Sequence, residues 1–410
     1  MTRSSHESAT LAAGMSLLER VGGPGFDASI KRLTALSPAL ADLVVTFPYG
    51  EVLSRPGLDL RTRQACTVAI LLANGSAQGQ LRFHMAGLLN VGGSVDDLVE
   101  LLTMATGVLG FPAAIDGIGI LREIVKDKGI AFQPASAAPA VGPTRFERGV
   151  AALRTILGME PARYTQAFAD TSPALARLTV EFEFGDVLAR EQLDRKTARL
   201  AAIVMLAASG NRARQLGSHI AGALQDGVTQ DEVAETIIQL AAYAGFPTAL
   251  NAAFTAIEAL RGQDRDERAS TGQVAFASGD DADHDDRRTR GLATLKATSG
   301  KAGDAIVHSF DDLAPHIGAL IVDHSYGDIF ARPGLDPRTR ELTACAALAG
   351  NMTVSSEAPL RVHIAAALAV GVSRAEIVET LLNVAPYRGF PAIQRAMAIA
   401  GEEFQKSEQP

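Results

Sequence analysis

Three histidines stand in one recurring context, and their residue type and spacing suit acid–base chemistry. They are His84, His219 and His363. Each histidine follows an Ala-rich apolar run. After the histidine come a Gly that is followed by Ser or Thr, and then a Gly-Phe-Pro tripeptide. An imidazole with a pKa of about 6.5 can give and take a proton at neutral pH without a metal. A lone histidine on such a helix is usually a core or interface residue satisfied by a backbone carbonyl. Three in register indicate a shared role, which is either catalytic or an inherited structural one.

Arginines cluster ahead of each histidine in a repeated stretch. It reads YGEVLSRPGLDLRTR from Tyr49, FGDVLAREQLDRKTAR from Phe184 and YGDIFARPGLDPRTR from Tyr326. A guanidinium group can hold a carboxylate through two parallel hydrogen bonds, which suits it better than lysine for a substrate clamp. Surface or capping roles remain the alternative. The predicted substrate-binding set is Arg55, Arg63, Arg190, Arg332, Arg340, Tyr49 and Tyr326.

The spacing of these motifs divides the chain into three copies. The Leu-Asp pair, the histidine and Gly-Phe-Pro all move by 135 residues from the first copy to the second. From the second to the third the shift is 142 before the apolar run and 144 after it, which one insertion near residues 351–357 explains. A period near 140 is too long for a solenoid repeat and long enough for each copy to bury a core. We predict tandem domains.

Helix signals recur in each copy, and no run of alternating or β-branched residues indicates a strand. Ser37-Pro38 and Ser172-Pro173 suit helix starts, with the hydroxyl as N-cap and Pro at the first helical position. Capping boxes begin at Thr229 and Ser373, with a weaker version at Ser94. The predicted fold class is all-α.

Composition changes mark two linkers. Residues 133–144 are rich in Pro and Ala, and residues 263–290 are polar, with almost no apolar content. We expect the second linker to be at least partly disordered. The predicted domains are therefore residues 1–132, 145–262 and 291–405.

Charge and cysteine content limit the partners of the chain. The formal net charge is −8, and no Lys/Arg cluster is interleaved with aromatics, so we predict neither a nucleic-acid nor a membrane partner. The N-terminus has no apolar signal core, so we expect a cytoplasmic protein. Cys66 and Cys345 stand at non-equivalent positions, which argues against both a disulfide framework and a CxxC redox pair.

The motifs together resemble the carboxymuconolactone decarboxylase family, which also contains the alkylhydroperoxidase D proteins. The matching features are the Arg-Pro-Gly-Leu-Asp-x-x-Thr-Arg pattern, the His-x-x-Ala-Leu segment and Tyr-x-Gly-Phe-Pro. The resemblance implies three helical units of one fold, packed as a pseudo-trimer. It also implies a homodimer of two chains, which would give a six-unit assembly.

The chain departs from the family pattern one helical turn before each histidine. The resemblance implies an acidic residue there, or the second Cys of CxxC in the peroxidase branch, but Gln80, Gln215 and Pro359 occupy these positions. Peroxide reduction needs a thiolate and a resolving thiol, so a thiol peroxidase is not expected.

The resemblance implies a lyase or isomerase that needs neither metal nor organic cofactor and acts on a small unsaturated carboxylate or lactone. The third copy keeps most of the pattern. There His363 would protonate the carbanionic carbon and Tyr387 would stabilise the oxyanion, while Glu341 or a residue across a pseudo-trimer interface would orient the imidazole. His84 and His219 would be the weaker sites. A tailoring cyclase or isomerase on the same scaffold and a catalytically inactive binding or scaffold protein remain the alternatives.

Overall fold

The computed structural model describes residues 5–134, 142–166, 168–210, 212–263, 283–312 and 315–407. Within these ranges every regular element is a helix and no strand occurs, which confirms the predicted all-α class. In the described residues each copy shows seven α-helices and one π-helix in the same order. No helix of the described residues is long and apolar enough to cross a bilayer.

The elements of the first copy are α1 (Ser5–Gly22), α2 (Ala28–Leu36), α3 (Pro38–Val45), π1 (Thr46–Leu53), α4 (Leu60–Asn74), α5 (Gln78–Asn90), α6 (Val95–Val108) and α7 (Phe111–Asp127). Those of the second are α8 (Arg145–Leu157), α9 (Pro161–Thr165), α10 (Pro173–Leu178), π2 (Thr179–Leu188), α11 (Arg195–Ala208), α12 (Ala213–Gln225), α13 (Gln230–Tyr243) and α14 (Phe246–Gln263). Those of the third are α15 (Asp283–Thr298), α16 (Gly300–His308), α17 (Pro315–Leu320), π3 (Ile321–Phe330), α18 (Pro337–Gly350), α19 (Val354–Ala369), α20 (Arg374–Arg388) and α21 (Phe390–Lys406).

The predicted helix starts are confirmed by their hydrogen bonds. The Ser37 hydroxyl accepts from the Leu40 amide, and the Ser172 hydroxyl accepts from the Leu175 amide. Complete capping boxes open α6, α13 and α20. Each of these five helices therefore begins where a side chain satisfies amide groups that have no partner inside the helix.

The first helix of each copy has a glycine where it crosses the start of the π-helix, or, in copy one, the residue just before it. A Cβ on Gly14, Gly149 or Gly291 would lie 2.7, 1.9 or 2.2 Å from the carbonyl oxygen of Val45, Val180 or Val322, respectively. Only glycine allows two backbones to approach so closely. This crossing fixes the start of the arginine motif against the rest of the copy. The π-helices themselves were not predicted from the sequence.

The chain forms two compact units. The first two copies share one unit (Met1–Gly110, Gly119–Ile130 and Gly142–Phe276), and the third copy belongs to the other (Phe111–Ile118, Ala131–Val141 and Ala277–Pro410). Of the predicted linkers, residues 135–141 and 264–282 lie outside the described residues, so the expected disorder stays a prediction. Helix α15 already begins at Asp283, inside the segment predicted as the second linker. The exact domain boundaries stay predictions.

Copies one and two meet around a pseudo-two-fold axis. The hydroxyls of Thr62 and Thr197, which occupy equivalent positions on α4 and α11, lie 3.3 Å apart. Two reciprocal ion pairs flank these hydroxyls. Arg55 of copy one binds Glu235 of copy two, and Arg190 of copy two binds Glu100 of copy one. Such pairing of one patch with its own equivalent is isologous. The pseudo-trimeric arrangement of all three copies stays a prediction.

Candidate functional site

The histidine of copy one is buried against neutral groups. His84 on α5 is 2% exposed, and its Nδ1 donates to the amide oxygen of Gln64 at 2.8 Å. The rings of Tyr49 and of Tyr243, the latter from copy two, lie 6.3 and 5.1 Å from the imidazole. Burial lowers the pKa of His84 to about 3, so this ring is neutral at pH 7.

The histidine of copy two lies beside a cation. His219 on α12 is 2% exposed, and among the described residues its Nδ1 has no hydrogen-bond partner. The nearby Arg199 binds Asp226, with Nε 3.1 Å from Oδ2. Burial, and to a smaller extent the Arg199 charge, lowers the pKa of His219 to about 4. This imidazole is therefore also held in its neutral form.

The histidine of copy three is paired with a carboxylate. His363 on α19 lies with Nδ1 2.7 Å from Oε2 of Glu341, which projects from α18. Glu341 is fully buried, and its Oε1 has no partner among the described residues. The imidazole is 19% exposed. Because Nδ1 donates to Glu341, Nε2 is left as the ring atom that can exchange a proton with a ligand.

One helix position therefore distinguishes the three histidines. Gln64, Arg199 and Glu341 are equivalent, because they follow the same 135 and 142 residue shifts as the surrounding motif. The sequence reasoning named Glu341 as one candidate partner but gave no role to Gln64 or Arg199. Aligning the three copies column by column would have exposed the contrast between an amide, a cation and a carboxylate.

Three of the predicted substrate-binding arginines hold carboxylates of the neighbouring copy. Arg55 donates from Nη2 to Glu235 Oε1 at 2.7 Å, and the fully buried Arg63 donates from Nη2 to Glu235 Oε2 at 2.8 Å. Arg190 donates from Nη2 to Glu100 Oε1 at 2.6 Å. A substrate carboxylate would have to compete with these glutamates, which the sequence reasoning did not single out.

The arginines of copy three are placed differently. Arg340 donates from Nη2 to the carbonyl oxygen of Arg332 at 2.5 Å, and from Nε to that of Leu335 at 3.2 Å. Arg332 itself is exposed. Neither guanidinium is bound to a carboxylate of the described residues, which leaves both groups with capacity for an anion.

The two tyrosines of the predicted substrate-binding set lie in the cores of their copies. Tyr49 and Tyr326 are each 6% exposed, and burial raises the pKa of both, that of Tyr326 to about 12. The Tyr326 hydroxyl lies 2.8 Å from that of Ser299. Phe330 connects this ring to the site, since it lies 5.5 Å from Tyr326 and 5.8 Å from His363. The side chain of Tyr387 lies outside the described part of the structure.

A pocket of about 500 Å³ adjoins His219. Copy two supplies most of its wall, including Arg190 and Arg199, and copy one closes it with Glu100 and Met104. Residues from the opposite side of the pseudo-two-fold axis therefore complete the cavity beside this histidine.

Thiol and metal chemistry find little support among the described residues. Cys66 and Cys345 are both fully buried, and burial raises the pKa of each thiol to about 12, so little thiolate forms at neutral pH. The described residues contain no group of three or more His, Cys, Asp or Glu side chains that could hold a metal ion.

Comparison with known proteins identifies the scaffold. The model of the carboxymuconolactone decarboxylase family matches three times, at residues 38–123, 173–259 and 315–402. The chain belongs to this family. Each match begins at the Pro that opens α3, α10 or α17 and extends into the last helix of its copy. The predicted tandem organisation is thereby confirmed.

Individual family relatives match one copy's worth of the chain. The 4-carboxymuconolactone decarboxylase of Acinetobacter baylyi is 34% identical over 113 residues, which are 28% of this chain and 84% of the relative. An uncharacterised 15.0 kDa protein of Paracoccus denitrificans is 34% identical over a stretch that covers 23% of this chain and 69% of that protein. The nitrosuccinic acid decarboxylase of Metarhizium robertsii is 32% identical over a stretch that covers 26% of this chain and 75% of that enzyme. The chain is thus decarboxylase-like at the level of the family.

Proposed function

We propose that this chain is a cofactor-free lyase that decarboxylates a small unsaturated carboxylate or lactone at the histidine of its third copy. The observation that carries the proposal is the 2.7 Å contact between His363 Nδ1 and the buried carboxylate of Glu341. A carboxylate on Nδ1 fixes the ring orientation and stabilises the imidazolium that forms when Nε2 takes a proton. Among the described residues of the other two copies, no carboxylate binds the histidine in this way.

The chemistry requires an electron sink and a proton donor. When the C–C bond to the carboxylate breaks, CO2 leaves. The electron pair of that bond passes into the conjugated carbonyl of the substrate, and the substrate becomes an enolate. His363 then donates the proton on Nε2 to the carbanionic carbon and restores the carbonyl. The next substrate cycle requires that Nε2 be reprotonated from water, for which the 19% exposure of the ring provides access.

Binding would rely on Arg332, which precedes α18, and on Arg340, which lies in the first turns of α18. Arg332 is exposed, and Arg340 is held toward it by the bond to the Arg332 carbonyl. We assign these two groups to a carboxylate that the substrate retains. Tyr387 remains our candidate for stabilising the oxyanion, a contribution of about 3 kcal/mol for a preorganised donor.

The relatives support the reaction class and leave the substrate open. Two of them are named as decarboxylases, one of 4-carboxymuconolactone and one of nitrosuccinic acid. Since these two substrates differ in chemistry, we propose for this chain the same type of reaction, loss of a carboxyl group, and not either of these particular substrates.

Measurement of CO2 release from a panel of small lactone and unsaturated carboxylic acids tests the proposal. His363→Ala should lower kcat about 10²- to 10⁴-fold, the usual range for removal of a general acid or base. Glu341→Gln should lower kcat with little change in KM, because an amide stabilises the protonated ring that donates the proton less than a carboxylate does. His84→Ala and His219→Ala serve as matched controls and should retain most of the activity. Equal losses in all three histidine variants would refute the assignment to copy three.

A binding or scaffold protein is the second candidate, favoured by one observation. The histidines of copies one and two have depressed pKa values and, among the described residues, no carboxylate partner, although their copies keep the fold. If no acid in the panel releases CO2, a thermal-shift screen with the same acids separates the two candidates. A ligand that stabilises wild type and not His363→Ala would indicate a binding site without turnover.

A further inference from the structure

The two carboxylates that copies one and two exchange bind unequal numbers of arginines. Arg55 of copy one contacts both oxygens of Glu235, and the fully buried Arg63 donates from Nη2 to Oε2 at 2.8 Å. Glu100 is the equivalent residue across the pseudo-two-fold axis, and among the described residues it binds a single arginine, Arg190. Glu100 Oε2 therefore lacks the bond that the second arginine makes to Glu235 Oε2.

The difference arises at one position of the repeat. Ala198 stands in copy two where copy one has Arg63. Ala198 and Glu100 both line the cavity of about 500 Å³ beside His219. Alanine has none of the atoms beyond Cβ by which Arg63 reaches its carboxylate. The cavity thus adjoins a carboxylate whose equivalent on the other side of the axis holds a buried guanidinium group.

Acceptors that surround the Arg63 guanidinium recur at this cavity. In copy one, Arg63 Nη2 also donates to the carbonyl oxygen of Arg55 at 2.9 Å. The equivalent Arg190 lines the cavity, and its carbonyl oxygen accepts no hydrogen bond from the described residues. Met104 stands where copy one's guanidinium meets Gln239, so it offers an apolar surface instead of an amide. A guanidinium group placed here would have a carboxylate and a carbonyl oxygen as acceptors.

The wall of the cavity is electrostatically suited to a cation. Each of its arginines already binds a carboxylate; they are Arg148, Arg190, Arg195 and Arg199. Glu191 of the wall is exposed and has no partner in the described part of the chain. His219 is neutral at pH 7, because burial and the Arg199 charge lower its pKa to about 4. The imidazole therefore adds no positive charge that would repel a cationic ligand.

We infer that this cavity binds a small guanidinium compound with an apolar substituent, whose planar cation bonds to Glu100 Oε2 and to the carbonyl oxygen of Arg190. The guanidinium fork matches a carboxylate better than an ammonium group does. N-Ethylguanidinium consists of the atoms that arginine has beyond the Cβ of alanine, so it is the probe for the site. The cavity is larger than this fragment, and Ile156 in its wall leaves room for a bulkier apolar substituent. The inference does not depend on decarboxylation at copy three.

Methyl NMR of the wild-type chain with ¹³C-labelled methionine tests the inference. N-Ethylguanidinium, at concentrations far below those that unfold proteins, should shift the Met104 signal, which Met104→Leu assigns. Met352, in the core of copy three, should not shift. N-Ethylurea is the matched probe, because it is a neutral planar molecule of nearly the same shape. It should bind about 10- to 100-fold more weakly, the value of a hydrogen bond to a charged group. Equal affinities for the two probes, or no shift of Met104 by N-ethylguanidinium, overturns the inference.

Substitutions in the site give a second test. Ala198→Arg should abolish binding of N-ethylguanidinium and raise the urea midpoint, because the chain then supplies its own guanidinium group to Glu100. Asn251→Arg is the control, since it adds the same charge at an exposed position of α14. Glu100→Gln should weaken binding of N-ethylguanidinium about 10- to 100-fold and bring its affinity close to that of N-ethylurea. Wild-type affinity in Ala198→Arg or Glu100→Gln, or an Ala198→Arg chain less stable than Asn251→Arg, overturns the inference.

Discussion

Glu235→Ala should destabilise the unit that copies one and two share, because the carboxylate neutralises an arginine that water cannot reach. The Arg63 side chain is 0% exposed, and its Nη2 lies 2.8 Å from Glu235 Oε2. After truncation the Arg63 charge keeps a bond to the Arg55 carbonyl at 2.9 Å, and its buried Nε has no partner among the described residues. Breaking a buried pair from one side costs about 3–5 kcal/mol. Arg55 adds little, since its side chain is 44% exposed and can return to water.

The pseudo-symmetry supplies a matched control for this prediction. Glu100 occupies the equivalent place and binds Arg190, but Ala198 stands where Arg63 does, so no buried cation is left behind. Glu100→Ala should cost only about 1.5–3 kcal/mol, the value of a hydrogen bond to a charged group. The assay is hydrogen exchange of the α4 and α11 amides in increasing urea at pH 7. We expect the two variants to differ by about 2 kcal/mol in the free energy of unfolding. Equal destabilisation by the two substitutions would refute the buried-charge reasoning.

Acidification should reduce the effect of Glu235→Ala. The hydrogen bond from Arg55, followed by that from Arg63, holds the pKa of Glu235 below its usual 4.5. A carboxylate with a lowered folded pKa stabilises the fold above its unfolded pKa, and the stabilisation is lost as pH falls through the folded value. The free-energy gap between wild type and Glu235→Ala should therefore be constant at neutral pH and shrink below about pH 4.5.

His84→Gln should make the free energy of unfolding depend less on pH between 7 and 5. In wild type, a histidine with a folded pKa of about 3 lowers this free energy by about 2 kcal/mol over that range, because the unfolded form takes up protons. Urea midpoints at the two pH values check this, and an unchanged pH dependence in the variant would contradict it. Gly149→Ala should destabilise copy two by about 3 kcal/mol or more, since the new methyl group would lie 1.9 Å from the Val180 carbonyl oxygen; a midpoint equal to wild type would show that the crossing can open. Cys66 and Cys345 should resist alkylation by iodoacetamide at pH 8 until urea unfolds the chain, because both thiols are buried with a pKa of about 12; rapid labelling of the native chain, followed by mass spectrometry, would contradict this.

Local signals determined much of the fold. The capping boxes and Ser-Pro starts act within one helical turn, so their hydrogen bonds can be read from neighbouring letters of the sequence. The repeat spacing established three copies for the same reason, since a shift of 135 residues needs no knowledge of packing. A π-helix gives no such signal, because the close contact of Gly149 with the Val180 carbonyl that accompanies it joins residues far apart in sequence.

The character of each histidine was decided by tertiary packing. The side chain facing Nδ1 comes from the preceding helix, 20 residues away for Gln64 and 22 for Glu341, and helix periodicity does not say which residue of one helix meets which residue of the next. The arginines show the same limit more strongly. Their type and spacing suited a carboxylate clamp, but the carboxylate at Arg55 belongs to Glu235, 180 residues along the chain. Sequence supplied the charge that needed a partner, and only the pairing of two copies around an axis determined which partner it found.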